Sequence, residues 1–134
     1  MFIEKICKIF VVLLIFSFVG CVASNKSKTT KKPVDSRVAI IDVALARKLP
    51  AIDVIVHTRS DGLMEVQVTG RNYTSTYYNL EYKAEWIDKN GLLIKTILSR
   101  WTAFPAYEQS EYMFKAVAPK ATAVDFRIKI RKGE

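Results

Sequence analysis

The chain has 134 residues, with 21 Lys and Arg against 13 Asp and Glu, a formal net charge of +8, and half of its residues are apolar. That length holds one domain, and the apolar share with only 5 Gly and 4 Pro excludes collagen, low-complexity sequence and wholesale disorder. Two Cys and a single His exclude a disulfide scaffold and a zinc finger.

The first element is a targeting segment. Lys5 and Lys8 open it beside Glu4, and Ile9 to Val19 is a mainly apolar stretch of 11 residues. A membrane-spanning helix needs ~20 apolar residues. This stretch instead has the length of a signal-peptide core. It ends in Phe18-Val19-Gly20-Cys21. Small residues before a cut and a Cys directly after it resemble the lipobox of bacterial lipoproteins, with Phe18 standing where that family usually has Leu. The resemblance implies a signal peptide over 1–20, removed before Cys21. It also implies a diacylglyceryl group on the Cys21 thiol and acylation of the new amine. The membrane is then a partner through a lipid anchor, since several acyl chains give stable attachment. Val22 in place of Asp implies, by the same resemblance, an outer-membrane anchor facing the periplasm. Cys7 would leave with the signal, so no internal disulfide can form.

Residues 21–37 follow as the expected flexible basic tether. The stretch has no apolar period and nothing to bury. Lys26, Lys28, Lys31, Lys32 and Arg37 stand against Asp35 alone, so this short run carries half of the net charge. Such a run is a solubilising spacer, and it also suits anionic headgroups. The +8 therefore does not describe a nucleic-acid surface, and an exported anchor argues against that partner.

Residues 38–134 read as strands. Val38 to Val43 and Asp53 to His57 are short β-branched runs, separated by Ala44 to Leu49, which hints at a helical turn. Met64, Val66 and Val68 alternate with polar residues, as do Tyr78, Leu80, Tyr82, Ala84 and Trp86, then Tyr112, Phe114 and Ala116, then Val124, Phe126, Ile128 and Ile130. Alternation with period two marks strands with one buried face. Ser60-Asp61-Gly62 and Asp88-Lys89-Asn90-Gly91 are turns, because Gly accepts positive φ. Pro105 and Pro119 are expected in the longer connections. Strands at this spacing, without a βαβ rhythm, predict an all-β fold: an immunoglobulin-like antiparallel β-sandwich of about seven strands.

A family resemblance starts at the middle strands. Val68, Asn72, Leu80, Tyr82, Trp86, Asp88 and Gly91, then Trp101, Pro105 and Phe126-Arg127-Ile128, resemble the YcfL family of small bacterial lipoproteins, an uncharacterised family. The resemblance runs over roughly Ile52 to Ile130, besides the lipobox, and is sharpest at Tyr82-Lys83-Ala84-Glu85-Trp86-Ile87-Asp88. It implies an envelope-anchored sandwich without known catalytic residues or cofactors. In some enterobacteria the family's gene lies beside that of a lipoprotein activator of a peptidoglycan synthase, which points to an envelope protein or a peptidoglycan-synthesis partner.

Few residues look chemical. His57 reads as a solvated strand residue, with no carboxylate set beside it by any motif. Glu81 and Glu85 lie on one face of a strand at ~13 Å, too far apart for a glycosidase pair. With Lys83 between them they read as a mixed-charge solvent face. Asn72-Tyr73-Thr74 matches a glycosylation sequon, but Asn72 is expected to end a strand or make a side-chain turn. Tyr78 and Tyr82 share the Trp86 face and are expected in the core. Trp101, Phe104 and Tyr107 form a second aromatic group, also expected to pack inside. Tyr73 and Tyr77 lie in a connection beside Arg71, and Tyr and Arg are the usual anchors of protein interfaces. The reading is a non-catalytic binding or accessory module in the envelope, with Cys21 lipidated and Arg71, Tyr73 and Tyr77 as candidate interface; neither a metal nor a cofactor is expected. The alternative is a small-ligand carrier or enzyme with a pocket in the sandwich.

Overall fold

The computed structural model describes residues 35–134. The signal segment 1–20, Cys21 and most of the expected tether 21–37 lie outside the described residues. Seven strands and one short helix follow one another: β1 Val38–Ile40, α1 Val43–Lys48, β2 Ala51–Thr58, β3 Met64–Arg71, β4 Tyr78–Asp88, β5 Thr102–Ala106, β6 Glu111–Val117 and β7 Ala123–Lys132. They form a sheet of four in the order β1-β7-β4-β5 and a sheet of three in the order β2-β3-β6. A division into four and three is the one expected of a seven-stranded immunoglobulin-like sandwich.

Alternation sets the two inner faces. Leu80, Ala84 and Trp86 of β4 are buried with Phe126, Ile128 and Ile130 of β7, and Val66 and Val68 of β3 with Tyr112, Phe114 and Ala116 of β6. Aromatic rings carry the contact between sheets: Tyr82 of β4 stacks on Phe114 of β6 at 4.1 Å and 12°, and Phe104 of β5 meets Phe114 at 4.7 Å. Burying a side chain of this size stabilises the fold by ~1.5–3 kcal/mol. Tyr78 and Tyr82 pack against the core as expected. On the outer face of the larger sheet, Arg131 pairs with Glu81 at 2.8 Å and Lys129 with Glu85 at 3.4 Å, so the two carboxylates lie in a mixed-charge surface.

The turns fall where Asp-Gly and Asn-Gly pairs ask for them. Gly62 has φ 81° between β2 and β3, and Gly91 has φ 78° after β4. The Asp88 carboxylate accepts from the Asn90 and Leu92 amides and closes the second turn. Helix α1 is capped by Asp42, whose carboxylate accepts from the Ala44 and Leu45 amides at 2.7 and 3.2 Å, and it ends on basic Arg47 and Lys48. Leu45 and Leu49 bury its inner side.

Three expectations need correction. The apolar run 38–43 is strand only over Val38–Ile40, because Asp42 caps the helix that follows. Strand β1 pairs with β7 in parallel, so the sandwich is not wholly antiparallel. Pro105 lies inside β5 and not in a connection. β5 is an edge strand, where a residue without an N–H is tolerated.

Candidate functional site

The candidate site is the end of the sandwich where β3 stops and β4 begins. Its framework is Asn72, the one buried polar residue among the described residues, with no exposed area. Its Nδ2 donates to the Thr76 carbonyl at 2.8 Å and to the Ala106 carbonyl at 3.1 Å. Its Oδ1 accepts from the Thr74 amide at 2.9 Å and the Thr74 hydroxyl at 2.8 Å. One side chain thus uses its amide on both sides, folds the connection 72–77 into a side-chain turn and ties it to the end of β5. Asn72 follows the last residue of β3 and makes the side-chain turn, one of the two roles expected of it. Backbone bonds extend the frame: the Asn72 amide donates to the Ser110 carbonyl, the Tyr73 amide to the Lys48 carbonyl and the Gln109 amide to the Thr74 carbonyl.

On this frame the tyrosines stand outward. Tyr73 is 55% exposed and Tyr77 45%. Tyr107, from the β5–β6 connection, is 59% exposed and meets the Tyr77 ring at 5.5 Å and 52°. The Arg71 guanidinium lies 5.7 Å from the Tyr73 ring centre and donates to the Gln109 carbonyl at 3.2 Å. It also faces Glu111, its cross-strand partner, at 3.8 Å. Gln109 holds φ 52° and donates from Nε2 to the Tyr73 carbonyl at 3.2 Å. Three phenols and one guanidinium thus share one end of the fold, on a backbone held by hydrogen bonds from three connections. Such a surface offers flat aromatic faces, hydroxyl donors and one cation, groups that suit recognition.

Of the three residues singled out in the sequence, Arg71 lies against Tyr73, while Tyr77 meets Tyr107. Tyr107 was expected in the core and lies outside it; it belongs to this surface. Of its aromatic group only Phe104 is buried, and Trp101 is half-buried under the Arg131 guanidinium, 4.2 Å from the ring centre. Strand parity could have found Tyr107. Phe104 and Ala106 point inward, so the next residue points out.

Beneath the surface, Tyr112 locks helix α1 to the smaller sheet. Its hydroxyl donates to the Leu49 carbonyl at 2.7 Å, and its ring lies across Gly70, its register partner, where a Cβ would collide with it. Burial holds the Tyr112 phenol well above its ordinary pKa.

The other candidates are structural. His57 is half exposed, and its cross-strand partner Glu65 brings a carboxylate to 3.5 Å, a neighbour set by the β2–β3 register and not by a motif. The same carboxylate faces Lys115 at 3.3 Å, so His57 joins a surface charge cluster. Arg37, at the end of the expected tether, grips the domain. It donates to Asp35 and to Asp125 and lies 4.2 Å over the Phe126 ring. Hydrogen bonds from Arg37 hold both carboxylates below their ordinary pKa. Among the described residues lie clefts of about 260, 180 and 170 Å³, that of 260 Å³ beside Lys83, Trp86, Ile94 and Thr96. Each falls short of the ~300–1,000 Å³ of a small-molecule site. Among the described residues no group of His, Cys, Asp and Glu could hold a metal ion, and no helix is long and apolar enough to cross a membrane.

The family described as "Protein of unknown function (DUF1425)" matches residues 36–132. Among solved structures, cj0090 of Campylobacter jejuni is 23% identical with a TM-score of 0.61, over 74% of this chain and all of that one. A DUF1425 family member from Shewanella sp. pv-4 is 22% identical with a TM-score of 0.55, over 64% of this chain and 77% of that one. At these identities the likeness is one of fold. No curated protein matches.

Proposed function

The chain belongs to the DUF1425 family, and on that premise we propose that it is a YcfL-type lipoprotein, a non-catalytic binding module held in the cell envelope by Cys21. The lipobox-like Phe18-Val19-Gly20-Cys21 supports the anchor, and Val22 supports the outer membrane, with the domain facing the periplasm. The observation that carries the binding role is the surface of Tyr73, Tyr77 and Tyr107 beside Arg71. These exposed aromatic groups sit on a backbone that Asn72 fixes, so little ordering entropy is lost when a partner covers them. The partner is an envelope protein or a cell-wall component, with the peptidoglycan-synthesis machinery as the first to try. The small clefts favour this reading over a small-ligand carrier.

A photo-crosslinking residue at Tyr73 or Tyr77, in living cells, tests the site. One specific adduct is expected from these positions and none from Arg127 on the outer sheet face, and Arg71→Glu is expected to abolish it. Equal adducts from all positions would remove the basis for the site. The anchor is tested separately by the mass of the mature chain, which Cys21→Ala must return to the unlipidated value.

A further inference from the structure

The connection between β4 and β5, residues 89–101, exposes more aliphatic surface than a solvated loop needs. Leu92, Leu93, Ile97 and Leu98 are all exposed, and Ile97 is 91% exposed. The segment is nevertheless held in place. The Ile94 amide donates to the Trp86 carbonyl at 2.8 Å, and Leu93 bridges to Ile87 on β4. Lys89, Lys95 and Arg100 lie in the same stretch, and Lys115 lines the cleft beside Leu98. Its acidic neighbours are engaged elsewhere: Asp88 accepts from turn amides, and Glu85, in the cleft with Leu93 and Lys95, pairs with Lys83 and Lys129. Aliphatic tips with basic residues around them match what an interfacial lipid contact requires. A protein interface would be richer in exposed aromatic groups; Tyr73, Tyr77 and Tyr107 are gathered at the other end of this fold, and Trp101 in this segment is half-buried under Arg131.

Register places the segment relative to the point where the described chain enters the fold. β1 starts opposite Ile128 and runs parallel to β7, and Arg37 before it reaches Asp125 and Phe126. The start of β7 pairs with the end of β4: Asp125 with Ile87 and Ala123 with Asp88. Asp35 and Arg37 therefore lie at the end of the sheet where 89–101 begins. Tyr77 and Tyr78 lie at the opposite end of β4. The 14 residues from Cys21 to Asp35 span at most ~50 Å, so an anchor at Cys21 keeps a domain with a radius of gyration of ~13 Å close to the bilayer. A weak contact by this segment is then intramolecular and favoured by high effective concentration.

We infer that residues 89–101 are a second membrane contact, in which Leu92, Leu93, Ile97 and Leu98 enter the headgroup region of an anionic bilayer, with Lys89, Lys95 and Arg100 at the surface. The inference rests on the lipid anchor at Cys21. It orients the domain so that Arg71, Tyr73, Tyr77 and Tyr107 face away from the bilayer.

The test uses the full lipidated chain in vesicles of phosphatidylethanolamine and phosphatidylglycerol. Ile97→Cys and, at the tyrosine end, Ser75→Cys each receive an environment-sensitive dye. The dye at 97 is expected to shift to the blue and to be quenched by brominated lipid, and the dye at 75 to do neither. Lys95→Ala is expected to weaken the contact about fivefold in these vesicles, and not in vesicles without anionic lipid. If the chain carries the lipid mass at Cys21 and the dye at 97 stays in water, this inference fails and the anchor stands. If the lipid mass is missing, the anchor fails and the inference falls with it. A dye at 97 that is shielded in native envelopes and wet on vesicles would give the segment to a protein partner and overturn the assignment.

Discussion

Asn72→Ala removes four hydrogen bonds at once: those to the Thr76 and Ala106 carbonyls, and those from the Thr74 amide and hydroxyl. Each is worth ~1 kcal/mol net, and buried groups left unpaired add to the loss, so the variant is expected to lose ~3–4 kcal/mol. For a domain of this size that lowers Tm by about 15 °C. Thr74→Val removes only the hydroxyl and is expected to cost ~1 kcal/mol. Asn72→Asp keeps the shape but turns a donor into a buried acceptor facing two carbonyls, so the carboxyl is driven to its protonated form. Its pKa is then higher folded than unfolded, the folded state binds the extra proton, and the variant must lose stability as pH rises from the acid range to neutral. Thermal and urea unfolding followed by circular dichroism at several pH values read all three variants. A Tm change of less than about 4 °C for Asn72→Ala, with an unchanged m-value, would refute the claim that this amide organises the end of the fold.

Gly70→Ala puts a methyl group into the Tyr112 ring and is expected to cost ~2–3 kcal/mol; pairing it with Tyr112→Leu should recover much of that loss, and simple additivity would contradict the contact. Tyr112→Phe leaves the Leu49 carbonyl without its donor and should cost ~1–2 kcal/mol, with the amides of α1 exchanging faster with solvent than those of β4. Arg37 lowers the pKa of Asp35 and Asp125, so the stability it confers is present above the unfolded carboxylate pKa and is lost as pH falls through the folded values. Arg37→Gln should therefore be less stable than the parent at neutral pH and converge with it in acid, as read by urea midpoints from pH 7 down to about 2.

Strands β3, β4, β6 and β7 were legible because each buries one face. Leu80, Ala84 and Trp86 on β4 and Phe126, Ile128 and Ile130 on β7 alternate with charged residues that pair across the outer surface. The turns were legible because Gly62 and Gly91 need positive φ. The parallel placement of β1 was not, since three apolar residues alternate alike whichever way the strand runs. Pro105 misled because its missing N–H signals a loop until β5 is known to be an edge. At the candidate site, Arg71, Tyr73 and Tyr77 could be picked out by residue type. Tyr107 comes from 30 residues further on and joins Tyr77 only because β4 pairs with β5, with Tyr78 opposite Ala106. The partnership of Gly70 with Tyr112 depends in the same way on the β3–β6 register, which no local pattern carries.

The parallel pairing of β1 with β7 has a mechanical meaning. A tension applied between residue 35 and the tyrosine end of the domain runs along the axis of β1. The bonds that hold this strand, from the Ile128 amide to the Arg37 carbonyl through to the Ile41 amide on Ile130, lie across that axis and share the load in shear. The Arg37 hydrogen bond to Asp125 lies at the point where the force enters. Such a strand yields in one step at a threshold force, where a hairpin strand pulled from its tip would peel open one bond at a time.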